Sequence, residues 1–168
     1  AKRLGPLPQR AIGIGVPALI DRSGRLLFAP NLGWRDVPLA KLAAEALPMP
    51  VLIENDTKAA AIAEREFGSC VAVDDFIYVS GHSGVGGAIY ASGELYRGAH
   101  GLAGEIGHIV IKAGGPRCNC GGRGCLEALA SRTAISKDIL KAIKRGRKTI
   151  VTKLVSRKID SIPSTTIK

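Results

Sequence analysis

Apolar and polar positions change period repeatedly along this chain. Residues 11–16, Ala-Ile-Gly-Ile-Gly-Val, read as a strand ended by Pro17, with two glycines suited to close approach by another backbone or a ligand. Residues 21–25 read as a turn, 25–28 as a short strand and 30–34 as a loop. A helical period covers residues 37–47 and stops at Pro48 and Pro50. Val51, Leu52 and Ile53 form a buried strand running into Glu54-Asn55-Asp56. The Ala-rich stretch 57–67 predicts a helix closed by Gly68. Residues 76–79 predict a strand that enters a glycine cluster at 81–87. Residues 88–91 continue as a strand, Ser92-Gly93 turns, and 94–96 return. Residues 101–107 read as helix or loop, leading to a strand over 108–111. Ile135, Ile139, Leu140 and Ile143 mark one face of a helix that stops at Gly146. No internal repeat occurs, and the mixture of strands and helices predicts an α/β class.

Composition adds limits. The 168 residues suffice for one domain with its own core. No apolar run reaches the roughly 18 residues of a membrane span, so no membrane partner is expected. No apolar stretch follows the first charged residues as it would in a secretory signal, and a cytoplasmic location is the default expectation. The net charge is +10, which raises the question of nucleic acid. Residues 132–168 hold 11 Lys/Arg and 2 Asp/Glu, or +9, leaving +1 for the rest. That stretch has no aromatic residue for base stacking, so a solvated helix face is the favoured reading over nucleic-acid contact.

The densest chemistry is His108 followed by Cys118-Asn119-Cys120-Gly121-Gly122-Arg123-Gly124-Cys125. One imidazole and three thiolates make a closed tetrahedral set for zinc, and soft sulfur ligands select zinc over magnesium or calcium. Four protein ligands leave no open position, so the metal's role would be structural. Free thiols or a strained disulfide are the alternative. Cys70 stands apart as a small core residue.

Three further constellations carry candidate chemistry. A carboxylate at Asp56, between a strand and a helix, suits a base that takes a proton from a substrate hydroxyl. Asn and Asp are equally good helix N-caps, which would explain them without a substrate. In Ala103-Gly104-Glu105-Ile106-Gly107-His108, Glu105 and His108 would share a face if the segment is helical, and a carboxylate beside an imidazole suits sugar hydroxyls. Solvated side chains beside a metal-ligand His are the plainer reading, and Glu127 is a similar candidate. Backbone amides in the cluster Gly81-His82-Ser83-Gly84-Val85-Gly86-Gly87 could cradle phosphate, but a tight strand-to-strand turn needs the same residues without any ligand.

Taken together these motifs resemble the ROK family of repressors, open reading frames and sugar kinases. The match runs through Gly13-Ile14-Gly15-Val16-Pro17, Ala29-Pro30-Asn31-Leu32, Glu54-Asn55-Asp56, Leu95-Tyr96-Arg97-Gly98-Ala99, the 103–108 segment and the cysteine loop ending Gly124-Cys125-Leu126-Glu127. The resemblance implies an actin-like, ribonuclease-H-like α/β fold of two lobes, with a zinc-binding loop over 108–127. Residues 1–57 would belong to an N-terminal lobe and 58–168 to a C-terminal lobe. It implies ATP- and Mg2+-dependent phosphorylation of a hexose or N-acetylhexosamine at the 6-hydroxyl. Asp56 matches the catalytic base. Asn31, Asn55, Asp56, Glu105, His108 and Glu127 match sugar-binding positions. Ser83, Gly84 and Gly86 match phosphate contacts, and His108, Cys118, Cys120 and Cys125 the structural Zn2+ ligands. Homo-oligomers are common in the family.

The sequence departs from the family pattern. The Asp-x-Gly-Gly-Thr phosphate turn and the closing helices are not in it, so a central piece of a longer protein, inactive alone, is expected. The glycine cluster has His82-Ser83-Gly84 where kinases carry Gly-Thr-Gly, and Ala18 stands where many members have Gly. The alternative function is the effector domain of a sugar-sensing repressor, with DNA as partner only if a winged helix precedes it.

Overall fold

The computed structural model describes residues 11–154. The first ten residues and the last part of the basic tail lie outside them. The chain divides into two units, residues up to 79 with 87–105, and residues 80–86 with those from 106 onward.

In the first unit, β1 (Ile12–Val16) and β5 (Val51–Asn55) pair in parallel, in register from Ile12↔Val51 to Val16↔Asn55. Between them lie β2 (Leu19–Ile20), β3 (Leu26–Ala29) and β4 (Trp34–Val37), an antiparallel sheet in that order, and helix α1 (Leu39–Ala46). Ala18, Ile20, Leu26 and Ala29 are buried, with Val16, Val37, Leu39 and Ile53 packed on them. This core joins both sheets, so it fixes where β5 ends. The turn between β2 and β3 is closed by Asp21, whose Oδ1 accepts from the Ser23 amide (2.8 Å), the Ser23 hydroxyl (2.7 Å) and the Arg25 amide (3.0 Å).

Two strands differ from expectation. The loop expected over 30–34 ends one residue early, because Trp34 opens β4. Trp34-Arg35-Asp36-Val37 has no alternation to betray it; pairing with β3 makes the strand, helped by the Arg25–Asp36 ion pair at 2.6 Å and Arg35 lying 4.5 Å over the Phe28 ring. β2 lies beyond Pro17, and its two residues are too few to show a period.

Helix α2 (Asp56–Phe67) follows β5 without a break. Its Ala61 is buried with Ala88 and Tyr90, and Phe76 stacks on Tyr90 at 4.6 Å between ring centroids. Small residues at 61 and 88 let backbone lie close to backbone, and Ile62, Tyr78 and Leu95 pack around the aromatic pair. Strands β6 (Phe76–Gly81), β7 (Val85–Ala91) and β8 (Glu94–Leu95) form a sheet in that order. β7 begins three residues earlier than the apolar run suggests, since Val85, Gly86 and Gly87 already belong to it.

The second unit holds the turn at 81–86, a 3-10 turn (Ile106–His108), the cysteine loop, and helices α3 (Leu126–Ala130), α4 (Arg132–Lys144) and α5 (Val151–Leu154). The strand expected over 108–111 does not form. His108 ends the 3-10 turn, and only Val110 bridges, opposite Cys125. Ile109, Val110 and Ile111 are each more than half exposed, so this apolar run does not mark a buried strand. α4 forms where the apolar spacing predicts a helix, although none of its residues is fully buried and Ile135 is exposed; Gly146, at φ +80°, follows its end. Among the described residues no helix is long and apolar enough to cross a membrane.

Candidate functional site

The cysteine loop brings together the four expected ligands. The ligand atoms of His108, Cys118, Cys120 and Cys125 lie within 4.8 Å of one another. Cys120 Sγ is 3.8 Å from Cys125 Sγ, and Cys118 Sγ is 3.6 Å from His108 Nδ1. Zinc–sulfur bonds of about 2.3 Å set tetrahedron edges of roughly 3.8 Å, so the spacing fits zinc. The loop is folded by its own backbone. Cys118 N–H donates to the Gly122 carbonyl (2.9 Å), and Gly121 N–H donates back to Cys118 (3.0 Å). Gly124 sits at φ +76°, and a Cβ there would lie 1.7 Å from the Lys112 carbonyl oxygen. Only glycine lets the chain pass there and return to Cys125.

Burial pushes the Cys118 thiol up to about 12, and burial also raises Cys125. Burial works against ionisation of Cys120 as well, but the Gly122 amide and bonds from the other two cysteines hold it below the usual thiol value. A metal binding here would therefore displace protons from thiols. With four protein ligands and no open position, such an ion would be structural.

In the first unit the chemistry gathers where β5 meets α2. Asn55 is the N-cap: its Oδ1 accepts from the Lys58 amide (3.0 Å) and its Nδ2 donates to the Ala18 carbonyl (3.1 Å). Asp56 is exposed, its Oδ1 accepting from the Thr57 amide (2.7 Å). Capping therefore falls to Asn55, and among the described residues Asp56 Oδ2 meets no donor. Glu54 is engaged otherwise, with Oε2 2.5 Å from Arg97 Nη1 and Oε1 accepting from the Asn55 amide (2.9 Å). Of the two carboxylates, Asp56 has the open oxygen.

Lys58 is a residue the sequence does not flag. It is 2% exposed, and its Nζ donates to the Gly101 carbonyl at 2.5 Å. Burial lowers its affinity for a proton, while the charges of Glu105 and Glu54 hold the proton on. A Lys in an Ala-rich helix, one turn from two carboxylates, is the only signal in the sequence. Glu105 is half-buried and within the field of Lys58. It precedes the 3-10 turn, so Glu105 and His108 do not share a helical face. Asn31 lies in the turn after β3.

In the second unit Glu127 stands in the first turn of α3, two residues after Cys125. Its Oε2 accepts from the Val85 amide (3.0 Å), and its Oε1 is 3.8 Å from Cys118 Sγ. Ser83, Gly84 and Gly86 lie in or beside the 81–86 turn. That turn is closed by the His82 amide on the Gly84 carbonyl (2.9 Å). Among the described residues the amides of Ser83 and Gly84 meet no acceptor.

Comparison with known proteins gives the class. The ROK family model matches residues 6–164, and the chain belongs to the ROK family. It is 44% identical over 128 residues to the xylose repressor of Bacillus subtilis, covering 76% of this chain and 33% of that one. It is 39% identical over 145 residues to the glucokinase of Thermotoga maritima, covering 85% of this chain and 46% of that one. Its fold matches the crystal structure of a ROK family glucokinase from Streptomyces griseus in complex with glucose and AMPPNP. The TM-score is 0.85 at 34% identity, with 94% of this chain and 51% of that one covered. The fold is thus the α/β, actin-like fold of the ROK sugar kinases. The chain spans between a third and a half of the length of these relatives.

Proposed function

We propose that the protein to which this chain belongs phosphorylates a hexose or N-acetylhexosamine at its 6-hydroxyl, with ATP and Mg2+. The observation that carries this reading is Asp56. It is an exposed carboxylate, relieved of capping by Asn55, with one oxygen open. A protein that only binds sugar needs no base at that place. In the reaction Asp56 Oδ2 accepts the proton of the 6-hydroxyl as that oxygen attacks the γ-phosphorus of ATP. The bond to the β,γ-bridging oxygen breaks, giving sugar 6-phosphate and ADP.

Asn31, Asn55 and Glu105 in the first unit are assigned to sugar hydroxyls, as are His108 and Glu127 in the second. Ser83, Gly84 and Gly86 are assigned to the nucleotide's phosphates. The free amides of Ser83 and Gly84 support that assignment. His108, Cys118, Cys120 and Cys125 would hold zinc, which would stiffen the loop that carries His108 and Glu127. Residues 1–57 and 58–168 are assigned to the N- and C-terminal lobes.

A second reading, a sugar-sensing repressor, is favoured by one departure. His82 is a bulky residue in a turn that kinases build with glycine, and the xylose repressor relative is 44% identical over 128 residues against 39% over 145 for the glucokinase relative. An ATP-coupled panel on the complete protein separates the two. The sugars are glucose, mannose, fructose, N-acetylglucosamine, N-acetylmannosamine and xylose. Release of ADP with one of the first five supports the kinase. Xylose lacks a C6 hydroxyl, so binding of xylose with no ADP release from any sugar would favour the repressor.

A further inference from the structure

We infer that Glu127 is the positioning residue of the glycine turn at 81–86, and that it carries the order of the metal loop into that turn. The argument starts at Gly84. Its φ is not positive, so its backbone conformation alone would accept a side chain. Space would accept one only if Glu127 moved. A Cβ on Gly84 would stand 2.4 Å from Glu127 Oε2, 3.3 Å from Glu127 Cδ and 4.0 Å from Glu127 Cγ. These are its three nearest atoms outside its chain neighbours, and all belong to one residue. A side chain at residue 84 would displace the Glu127 carboxylate from the place it holds here.

The carboxylate is held there by a bond to the turn itself. Glu127 Oε2 accepts the Val85 amide at 3.0 Å, a charge-assisted bond stronger than a neutral one. The same stretch is held at two more points. The Arg132 amide donates to the His82 carbonyl (3.0 Å), and the Thr133 hydroxyl donates to the Ser83 carbonyl (3.0 Å). Both of these belong to the start of α4. They restrain carbonyls, whereas Glu127 restrains an amide on the other flank of Gly84.

Glu127 is placed in turn by the cysteine loop. α3 begins at Leu126, directly after Cys125, and Leu126 N–H donates to the Ile109 carbonyl (3.0 Å). Cys125 is 1% exposed. A metal that fixes Cys125 and Cys118 fixes the backbone from which Glu127 reaches Val85. The fold thus runs from metal ligand to carboxylate to glycine turn within one unit. The sugar contact proposed for Glu127 would fall to Oε1, since Oε2 serves the turn; Oε1 faces the Cys118 sulfur at 3.8 Å, whose proton a bound metal would displace. Any consequence for nucleotide rests on the kinase reading; the anchoring does not.

The test follows amide exchange at Val85 in the complete, zinc-loaded protein, with neither sugar nor nucleotide present. Glu127→Ala should speed Val85 exchange by about tenfold or more, and Glu127→Gln, which keeps an acceptor, should largely restore it. Chelation of zinc from the wild type should speed it as well. Gly84→Ala should lower the thermal midpoint in the wild type and much less in the Glu127→Ala background, where the obstructing carboxylate is gone. Unchanged Val85 exchange in Glu127→Ala, or equal cost of Gly84→Ala in both backgrounds, overturns the anchoring. Unchanged exchange on chelation overturns the link to the metal. Should Glu127→Ala not fold, Gly84→Ala alone decides, since unaltered Val85 exchange in that variant is incompatible with the contact.

Discussion

Asn55 and Asp56 divide between them two tasks that either could perform: Asn55 caps helix α2 through the Lys58 amide at 3.0 Å, and Asp56 keeps an open carboxylate oxygen. The division follows from position. The residue that ends β5 has the extended ψ of 136° that an N-cap needs, and Asp56 is already the first helical residue. Its carboxylate also lies at the positive end of the helix dipole.

Two substitutions separate these tasks. On the kinase reading, Asp56→Asn in the complete protein should lower phosphoryl transfer by about 100-fold or more while leaving sugar affinity largely intact, because the proposed base would be lost and the hydrogen-bonding shape kept. Coupled kinetics and calorimetric sugar titration read the two effects. Unchanged turnover would remove Asp56 from the role of base. Asn55→Ala should instead cost about 1 kcal/mol of stability through the lost cap, read in denaturant unfolding.

The metal cluster predicts a stoichiometry. Purified, reduced protein that has met no chelator should contain one zinc per chain, measured by elemental analysis. Removing it should lower the unfolding midpoint by more than about 5 °C, since a ligand that binds only the folded state stabilises it. Cys125→Ser should reproduce the loss without chelator. Protein free of zinc and of full stability would undo the assignment.

Lys58 gives a packing prediction with a pH signature. Lys58→Ala leaves a cavity and an unpaired Gly101 carbonyl, and should cost about 2–4 kcal/mol. Lys58→Met fills the space and should cost less. Burial holds the native-state value below the ordinary 10.5, so the unfolded chain binds this proton more tightly than the native one. The contribution of Lys58 to stability therefore rises with pH between its lowered native value and 10.5. Comparing wild type with Lys58→Met across the alkaline range isolates it.

Asp21 acts at the acid end. The Ser23 hydroxyl is the chief cause that holds its carboxyl below the ordinary 3.8; burial opposes it, and the amides of Arg25 and Ser23 add to the lowering. The native state thus releases this proton more readily than the unfolded chain. The stabilisation is fully present above the ordinary value and is lost as pH falls through the lowered one. Asp21→Asn should be less stable than wild type at neutral pH, and the gap should narrow as pH falls from the ordinary carboxylate value through the lowered one. A constant gap across that acid range would exclude the ionised turn.

Local pattern was enough for several elements. β1 and α4 showed in the spacing of apolar residues, β5 in a short apolar run, and α2 in its alanine content and closing glycine, because period and propensity are both properties of neighbours in the chain. The candidate metal ligands were legible because their chemistry is carried by residue type, and a loop of eight residues cannot spread the three cysteines far; that His108, ten residues earlier, joins them is a matter of the fold. β4 was not legible, since pairing with β3 and an ion pair make it. The strand read into 108–111 failed because three adjacent apolar residues look alike whether buried or exposed.

The sequence by itself determined the α/β class, the position of the Asn55-Asp56 step, and the candidate metal ligands, all from neighbours in the chain. Only the tertiary structure decided which residue of that step caps the helix, that Glu54 is taken by Arg97, that Lys58 lies buried under Gly101, and that Glu127 meets Gly84 and Val85. These partners lie 42 or 43 residues apart in the chain, and no local period or propensity encodes a contact at that separation. Folding brings them together because the apolar faces that do show in the sequence have only a few ways to be buried at once.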